Sequence, residues 1–340
     1  MRQAGPEGGN FKKMNGKLLL AFLFAAASAS GAVVRVVSTA ADKTGAWESA
    51  YLNINEAVTA AGVDGTIIFK NGTYNLTESI TLTADNQTLK GETRMGVVLN
   101  GQNSVRIVNA GTFKTPNFKS LTFRNGRATA GGAIYLNAAG TAPVFDDCDF
   151  FDNTATDGRG GAIFCNEPGN GTYTSCRFFN NKVDAPQSQR NGLGGAISHY
   201  NYARRESTRS TYTDCVFSNN SVCAGYTEGG AVNTPGHATF TRCTLIDNKA
   251  TTLNSSPFGG VLRVGKDLVI DSCTISGPNM AGSSGYGSFT VCSGTTVITN
   301  CTFRNIVGAN ANGFILDQGG HNVTVTLDGD SALSRQVSKG

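Results

Sequence analysis

Between residues 121 and 303 two short patterns alternate in constant order, and this limits the chain to folds built by stacking like units. The first pattern is Gly-Gly-Ala-Ile or a close variant, at Gly131–Ile134, Gly160–Ile163, Gly194–Ile197, Gly229–Val232 and Gly259–Leu262. Its start-to-start steps are 29, 34, 35 and 30 residues. The second is Cys-x-Phe-x-x-Asn, at Cys148/Phe150/Asn153, Cys176/Phe178/Asn181 and Cys215/Phe217/Asn220, with Cys243/Leu245/Asn248 a variant. Leu121/Phe123, Cys273/Ile275 and Cys301/Phe303 occupy the same slot with part of the pattern.

Within each unit the apolar residues recur at i and i+2, as in Cys148/Phe150, Ile134/Leu136 and Leu262/Val264, which is the period of a strand. Gly, Asn, Asp, Thr and Ser clusters separate the strands and mark turns. No unit is large enough to bury its own apolar face, so each must stack on its neighbours. The reading is an all-β chain, a single-stranded parallel β-solenoid of about ten coils between about residues 65 and 335. Each coil would supply two or three strands, paired with the next coil about 4.8 Å away. Composition then falls into place. Glycine is high, 43 of 340 residues, without the three-residue period of collagen. The Gly-Gly pairs account for ten of these glycines, at a corner that needs positive φ and close backbone approach. The recurring Asn153, Asn181, Asn220 and Asn248 are expected to stack as an amide ladder at another corner and to tolerate the left-handed conformation. Six of the nine cysteines fall in one inward column, and Cys165 and Cys292 in a second, with Cys223 in a loop. They read as buried, reduced thiols acting as small hydrophobes rather than as a disulfide framework.

The N-terminal end differs. Lys12, Lys13 and Lys17 precede the apolar run from Leu18 to Ala27, and Ala27-Ser28-Ala29 supplies a small-residue cleavage step. Residues 1–31 therefore read as an extension plus a secretion signal, and 32–340 as one β-helix domain. No second apolar run follows, so no membrane span is expected in the mature chain. Residues 47–62, with Leu52, Ile54, Ala57, Val58 and Ala61 on one face, read as a helix capping the open end of the solenoid. Thr66–Phe69, Ile80–Leu82, Thr88–Lys90 and Gly96–Leu99 read as the first strands.

The paired motifs resemble the repeats of the chlamydial polymorphic outer membrane proteins, which carry Gly-Gly-Ala-(Ile/Leu/Val) and Phe-x-x-Asn. Residues 131–134, 160–163, 194–197 and 229–232 carry the first, and Phe150/Asn153, Phe178/Asn181 and Phe217/Asn220 the second. The stretch from Ile54 to Gly91, with Gly-Thr-Tyr-Asn at 72–75 and Leu-Lys-Gly-Glu at 89–92, resembles the opening coils of pectin-lyase-like right-handed parallel β-helices. These resemblances imply a right-handed coil and either adhesion at a cell surface or cleavage of acidic polysaccharide.

Chemistry would have to sit on the outward positions. Beside the Cys-x-Phe strand one column reads Ser120, Asp147, Ser175, Asp214, Arg242, Ser272, Asn300, and another Thr122, Asp149, Arg177, Val216, Thr244, Thr274, Thr302. Asp147 and Asp149 are candidate ligands for Ca²⁺, with Arg177 as candidate base, if the protein is a calcium-assisted polysaccharide lyase. A glycoside hydrolase would also need two carboxylates, but no spacing fixes which pair. The same residues suit a surface salt-bridge ladder, and Asp214 and Arg242 form a second adjacent pair that is a candidate for ligand binding. The longest coil, between Cys176 and Cys215, carries a loop with Tyr200, Tyr202, Arg204 and Arg205, which suits a sugar acid or glycan and equally suits a solvated loop. His199 lies in the inward column with Leu136, Cys165, Thr234 and Val264 and reads as a core histidine. A net charge of +4 on 340 residues argues for no nucleic-acid partner. The reading is a secreted or surface-exposed adhesion or carbohydrate-binding module for a polysaccharide or host cell-surface glycan. The lyase or hydrolase is its alternative, and end-to-end self-association is an expectation for an uncapped end. No cofactor is expected beyond Ca²⁺ for the lyase.

Overall fold

The computed structural model describes residues 31–113, 115–138, 140–166, 170–186, 191–200, 208–253, 258–276 and 288–304, and beyond these the backbone of strands Ile315–Asp317, Val325–Asp328 and Val337–Lys339. The expected secretion signal lies outside the described residues. The strands assemble into three long sheets that run the length of a right-handed parallel β-helix. Sheet A has 11 strands, sheet B has 9 and sheet C has 10. All their pairings are parallel and in coil order, and crossovers between parallel strands are right-handed as a rule. A coil passes in turn through A, B and C. One complete coil is Val144–Asp146, Asp149–Phe151 and Ile163–Cys165.

The expected two or three strands per coil become four in the middle of the rod. A fourth sheet, D, of seven strands lies between B and C, and includes Thr154–Arg159, Lys182–Asp184 and Ser221–Ala224. It buries a small core of its own, Ala155, Val183, Ala185, Val222 and Ala224. Cys223, expected in a loop, lies on one of these strands. The signal was present as Val183/Ala185 and Val222/Ala224 at period two, in segments too short and small to stand out.

The inward positions are filled as the period requires. Phe123, Phe150, Phe178 and Phe217 stack through sheet B with centroids 4.8, 4.7 and 4.8 Å apart. Sheet A carries a parallel stack, Phe118, Phe145, Tyr173, Tyr212 and Phe240, with spacings of 4.9, 4.9, 4.8 and 4.5 Å. The rings repeat at the coil spacing because identical slots in successive coils hold identical side chains. Offset contacts of this kind add to what burial alone contributes.

Three corners of the coil each have their own left-handed residue. Between A and B it is Ser120, Asp147, Ser175, Asp214, Arg242, Ser272 and Asn300, with φ between 51° and 58°. The first outward column is thus a column of corner residues rather than strand residues. Between B and D it is Asn125, Asp152, Asn180, Asn219 and Asp247. The left-handed position is therefore the residue before the ladder asparagine, not the ladder asparagine itself. Before sheet C it is the first glycine of each Gly-Gly pair, with φ of 58°, 57°, 61°, 65° and 66°.

The amide ladder forms as expected. Asn153 Nδ2 donates to Asn181 Oδ1 at 2.9 Å, Asn181 Nδ2 to Asn220 Oδ1 at 3.0 Å, and Asn220 Nδ2 to Asn248 Oδ1 at 3.0 Å. Each Nδ2 also donates to a backbone carbonyl one coil back, as Asn181 does to Phe150 O at 2.9 Å.

Helix α1 spans Ile54–Ala61, shorter than the expected 47–62. Asn53 adopts extended backbone and its side chain accepts from the Glu56 amide at 3.1 Å, which starts the helix there. Gly62, at φ 65°, ends it as expected. Ala57, Val58 and Ala61 are fully buried against the first coils, while Leu52 is left 52% exposed. Before residue 101 two strands escaped the sequence reading: Val33–Val36, which edges sheet A, and Gly72–Asn75, which edges sheet B.

The six-cysteine column is buried, and none of the nine cysteines forms a disulfide. Each thiol of the six-cysteine column has a carbonyl acceptor, as Cys215 Sγ has Thr213 O at 3.4 Å and Cys243 Sγ has Tyr212 O at 3.3 Å. Burial pushes the Cys165 thiol up to about 12, and hydrogen bonding of the Cys243 thiol to its neighbour Cys215, with burial, pushes Cys243 up to about 12. Thiolate, the reactive form, is suppressed. We expect an aromatic disulfide reagent near pH 8 to titrate only the two half-buried thiols, Cys223 and Cys292, in the native chain, and all nine after unfolding. Rapid native reaction of six or more thiols would contradict the buried column.

Candidate functional site

Two faces of the rod bring charged and aromatic side chains together. The first is the A–B corner with the start of sheet B. In-register pairing sets Asp149 beside Arg177 on the next coil. Arg177 Nε donates to Asp149 Oδ1 at 2.6 Å and its Nη2 to Oδ2 at 2.7 Å, a two-pronged fork. Arg94, on the turn between strands Thr88–Gly91 and Val97–Asn100, reaches over from two coils back. It pairs with Asp147, lies 3.5 Å from Asp149 Oδ1, and donates to Ser175 O at 3.0 Å. Under this cover the Asp149 side chain is only 1% exposed, although its position is outward. The sequence reading missed Arg94, because a contact 81 residues apart has no local signal.

This geometry bears directly on the candidate lyase residues. Asp149, bonded to Arg177, raises the affinity of the guanidinium for its proton above that of ordinary arginine. A base must be free of its proton, so the fork works against that role. The two carboxylates expected to hold Ca²⁺ are each held by guanidinium groups instead. Among the described residues no group of three or more His, Cys, Asp or Glu is arranged to hold a metal ion. Asp214 and Arg242 make the same fork in the open, at 2.8 and 2.9 Å, which lowers the Asp214 pKa.

The second face is the outer side of sheet C. Register pairing aligns the middle residues of its strands as Asn109, Tyr135, Phe164, Ser198, Asn233, Arg263 and Thr290. Aromatic rings come first. Tyr135 and Phe164 lie 5.7 Å apart, and Phe164 and Tyr200 6.5 Å apart. Arg159, which ends the strand Thr154–Arg159 of sheet D, lays its guanidinium 3.7 Å over the Tyr200 ring and 5.8 Å over Phe164. Arg106 lies 4.8 Å over Tyr135. The later half of the row is polar and internally neutralised. Asn233 Nδ2 donates to Glu228 Oε2 at 2.8 Å, and Arg263 Nε lies 3.3 Å from the same oxygen. Tyr200 is thus placed beside Arg159, whereas Tyr202, Arg204 and Arg205 lie outside the described residues. Arg106, Arg159, Tyr135 and Phe164 are outward residues that sequence reasoning passed over. Tyr135 and Phe164 directly follow the isoleucines of the Gly-Gly-Ala-Ile repeats, which is the signal that could have found them.

His199 is 1% exposed, in register with Cys165, and its Nε2 lies 3.4 Å from both Tyr173 Oη and Ser210 Oγ. Burial pushes its pKa down to about 4. The unfolded chain, with histidine near 6.5, then binds more protons between about pH 4 and 6.5, so stability falls as pH drops through that window. We expect a loss on the order of 2–3 kcal/mol from this group. His199→Gln should flatten the pH dependence of urea midpoints there, and an unchanged slope would refute the buried neutral imidazole.

Residues 147–166 match the family model described as the Chlamydia polymorphic membrane protein repeat. That segment is one coil without its sheet A strand, from the corner residue Asp147 through Asn153 and Gly160 to Asn166. No curated protein matches the chain. Among solved structures, a pectin methylesterase variant crystallised with a hexasaccharide is similar over 83% of this chain and 81% of its own, at 16% identity and a TM-score of 0.34. No helix among the described residues is long and apolar enough to cross a membrane.

Proposed function

We propose that this protein is a secreted or surface-exposed β-helix that acts as an adhesion or carbohydrate-binding module, presenting the outer face of sheet C to glycans. The observation that carries the reading is Arg159 stacked on Tyr200 with no carboxylate partner among the described residues. Arg94, Arg124, Arg177, Arg242 and Arg263 each face an acid. Arg159 keeps its donors for something else, with its guanidinium plane held over the Tyr200 ring. In the sequence Tyr200 is followed by Tyr202, Arg204 and Arg205, which lie outside the described residues. The basic start, apolar run and small-residue step of residues 1–31 support export. The lyase alternative requires Arg177 to surrender a proton that Asp149 helps it keep, so binding is the better supported function.

A glycan array followed by calorimetry on the best ligand tests this. We expect binding that Arg159→Ala weakens by about tenfold or more, roughly 1.4 kcal/mol. We expect no cleavage of polygalacturonate or alginate with or without Ca²⁺. Rising absorbance from an unsaturated product, abolished in Asp149→Ala, would overturn the reading in favour of the lyase.

A further inference from the structure

We propose that the outer face of sheet A binds ice, through a lattice of six threonines on three consecutive coils. This is a different face from the sheet C site, and the inference is independent of the carbohydrate-binding reading.

Three neighbouring strands of sheet A carry Thr-Tyr-Thr at 172–174, Thr-Tyr-Thr at 211–213 and Thr-Phe-Thr at 239–241. Register sets Thr172, Thr211 and Thr239 side by side, and likewise Thr174, Thr213 and Thr241. The middle rings point inward and are fully buried, whereas none of the six threonines is buried. The rings of Tyr173, Tyr212 and Phe240 stack beneath the array at 4.8 and 4.5 Å, with planes only 13° and 12° apart. They hold the three strands evenly spaced. The threonines therefore repeat about 4.8 Å across the strands and about 6.7 Å along them, twice the rise per residue. Branching at Cβ restricts each side chain to few rotamers, so the lattice is formed before a partner arrives. None of the six hydroxyls has a hydrogen-bond partner among the described residues.

Threonine is also a good strand former, and this alone could place it on a sheet. Sheet B shows what that produces. Thr244, Thr274 and Thr302 fill one of its outward columns, but the other column on the same strands holds Ile246, Ser276 and Arg304. Only the three sheet A coils carry threonine in both columns. The array also has clear limits. On one side Lys119 pairs with Asp146 at 2.6 Å, and on the other Asp271 accepts from the Thr299 hydroxyl. The column of Thr172, Thr211 and Thr239 continues without charge as Val144 before it and Val269 and Val297 after it.

The array is uncharged, rigid and periodic along two axes. An ionic ligand would find no counter-charge within it, and a flexible chain has no two-dimensional repeat to match it. Solid water has one. An ice face is a fixed lattice of hydrogen-bonding oxygens, with one repeat close to the strand spacing and another close to twice the residue rise. Each threonine brings a hydroxyl that can join that lattice and a methyl group that can lie in its hollows.

The test follows uptake of the fluorescently labelled full chain into slowly growing ice, together with inhibition of ice recrystallisation. We expect the chain to enter the ice and to slow recrystallisation. Thr211→Lys and Thr213→Lys should each raise the concentration needed by about tenfold or more, since both lie on the central strand. Thr274→Lys, on the exposed face of sheet B, should match the wild type. Unchanged far-UV circular dichroism in the two sheet A variants guards against a folding artefact, as expected for exposed positions. Exclusion of the wild-type chain from ice would overturn the inference, and so would full activity in both sheet A variants. Binding to crystalline cellulose or chitin that the same variants abolish, with no uptake into ice, would overturn it and assign the face to a solid glycan. Arg159→Ala should leave ice uptake unchanged, and a chain that binds ice but no glycan would remove the sheet C reading while leaving this one standing.

Discussion

Asn181→Asp should leave the protein folded in acid and unstable at neutral pH. The Asn181 amide is fully buried and makes four bonds. Its Oδ1 accepts from the Asn153 backbone N at 3.2 Å and from Asn153 Nδ2 at 2.9 Å, while its Nδ2 donates to Phe150 O and Asn220 Oδ1. An aspartate has the same shape, but its second oxygen would point at two acceptors. Protonated, it can donate one bond and the ladder loses little. Ionised, it buries a charge between oxygens, which costs about 3–5 kcal/mol in comparable sites. The carboxyl pKa in the folded chain must therefore rise above the unfolded value of about 3.9. A raised folded pKa gives stability that is present below the unfolded pKa and lost as pH rises through the folded one. Chemical denaturation from pH 3 to 8 should show the variant falling away from the wild type as pH increases. Asn219→Asp, at an exposed corner, should stay within about 0.5 kcal/mol across the range. A parallel pH course for Asn181→Asp and wild type would show that the ladder is not a closed amide chain.

Gly161→Ala should prevent folding or cost upward of about 4 kcal/mol. Its added Cβ would lie 2.1 Å from Gly195 O and 2.5 Å from Lys182 N, both backbone atoms of the next coil. No side chain can move aside, so two coils would have to part. The preceding glycine is constrained differently. Gly160 has φ 57°, a conformation asparagine tolerates, yet a Cβ there would meet Ile163 O at 2.0 Å. Gly160→Asn should therefore be as damaging as Gly160→Ala, whereas Asp152→Gly, at the other left-handed corner, should be mild. Soluble yield, far-UV circular dichroism and melting temperature decide the matter. A Gly161→Ala protein that melts within a few degrees of wild type would refute the close-approach account.

These two sites also show why the fold was readable from one sequence. A solenoid repeats each slot, so a demand that a single turn would express once is written here four or five times. The ladder asparagines, the second glycine of each pair and the inward Cys-x-Phe strand all appear as columns before any coordinate is known. Sheet D was harder to see, since alanines and valines at period two in four-residue stretches resemble loop composition. The left-handed corner residues were harder still. Ser120, Asp147 and Arg242 were legible as one outward column, but they share no chemistry that announces their common left-handed backbone.

The candidate site was less legible than the scaffold. Adjacent-coil pairs such as Asp149 with Arg177 and Asp214 with Arg242 follow from register once the coil length is known. What those pairs amount to does not. Arg94 turns an outward carboxylate into a buried one from far along the chain, and this changes a candidate base into one half of a closed ion pair. On sheet C the sequence supplied Tyr200 and its neighbouring arginines, but the stacked Arg106 and Arg159 come from other segments entirely.

The sequence by itself determined the coil, its period and its inward columns, because backbone pairing and apolar burial act between equivalent positions that the repeat makes visible. Only the tertiary structure decided which outward charges are spent on one another and which are not. That depends on side chains meeting across corners and between sheets, at separations the repeat does not encode.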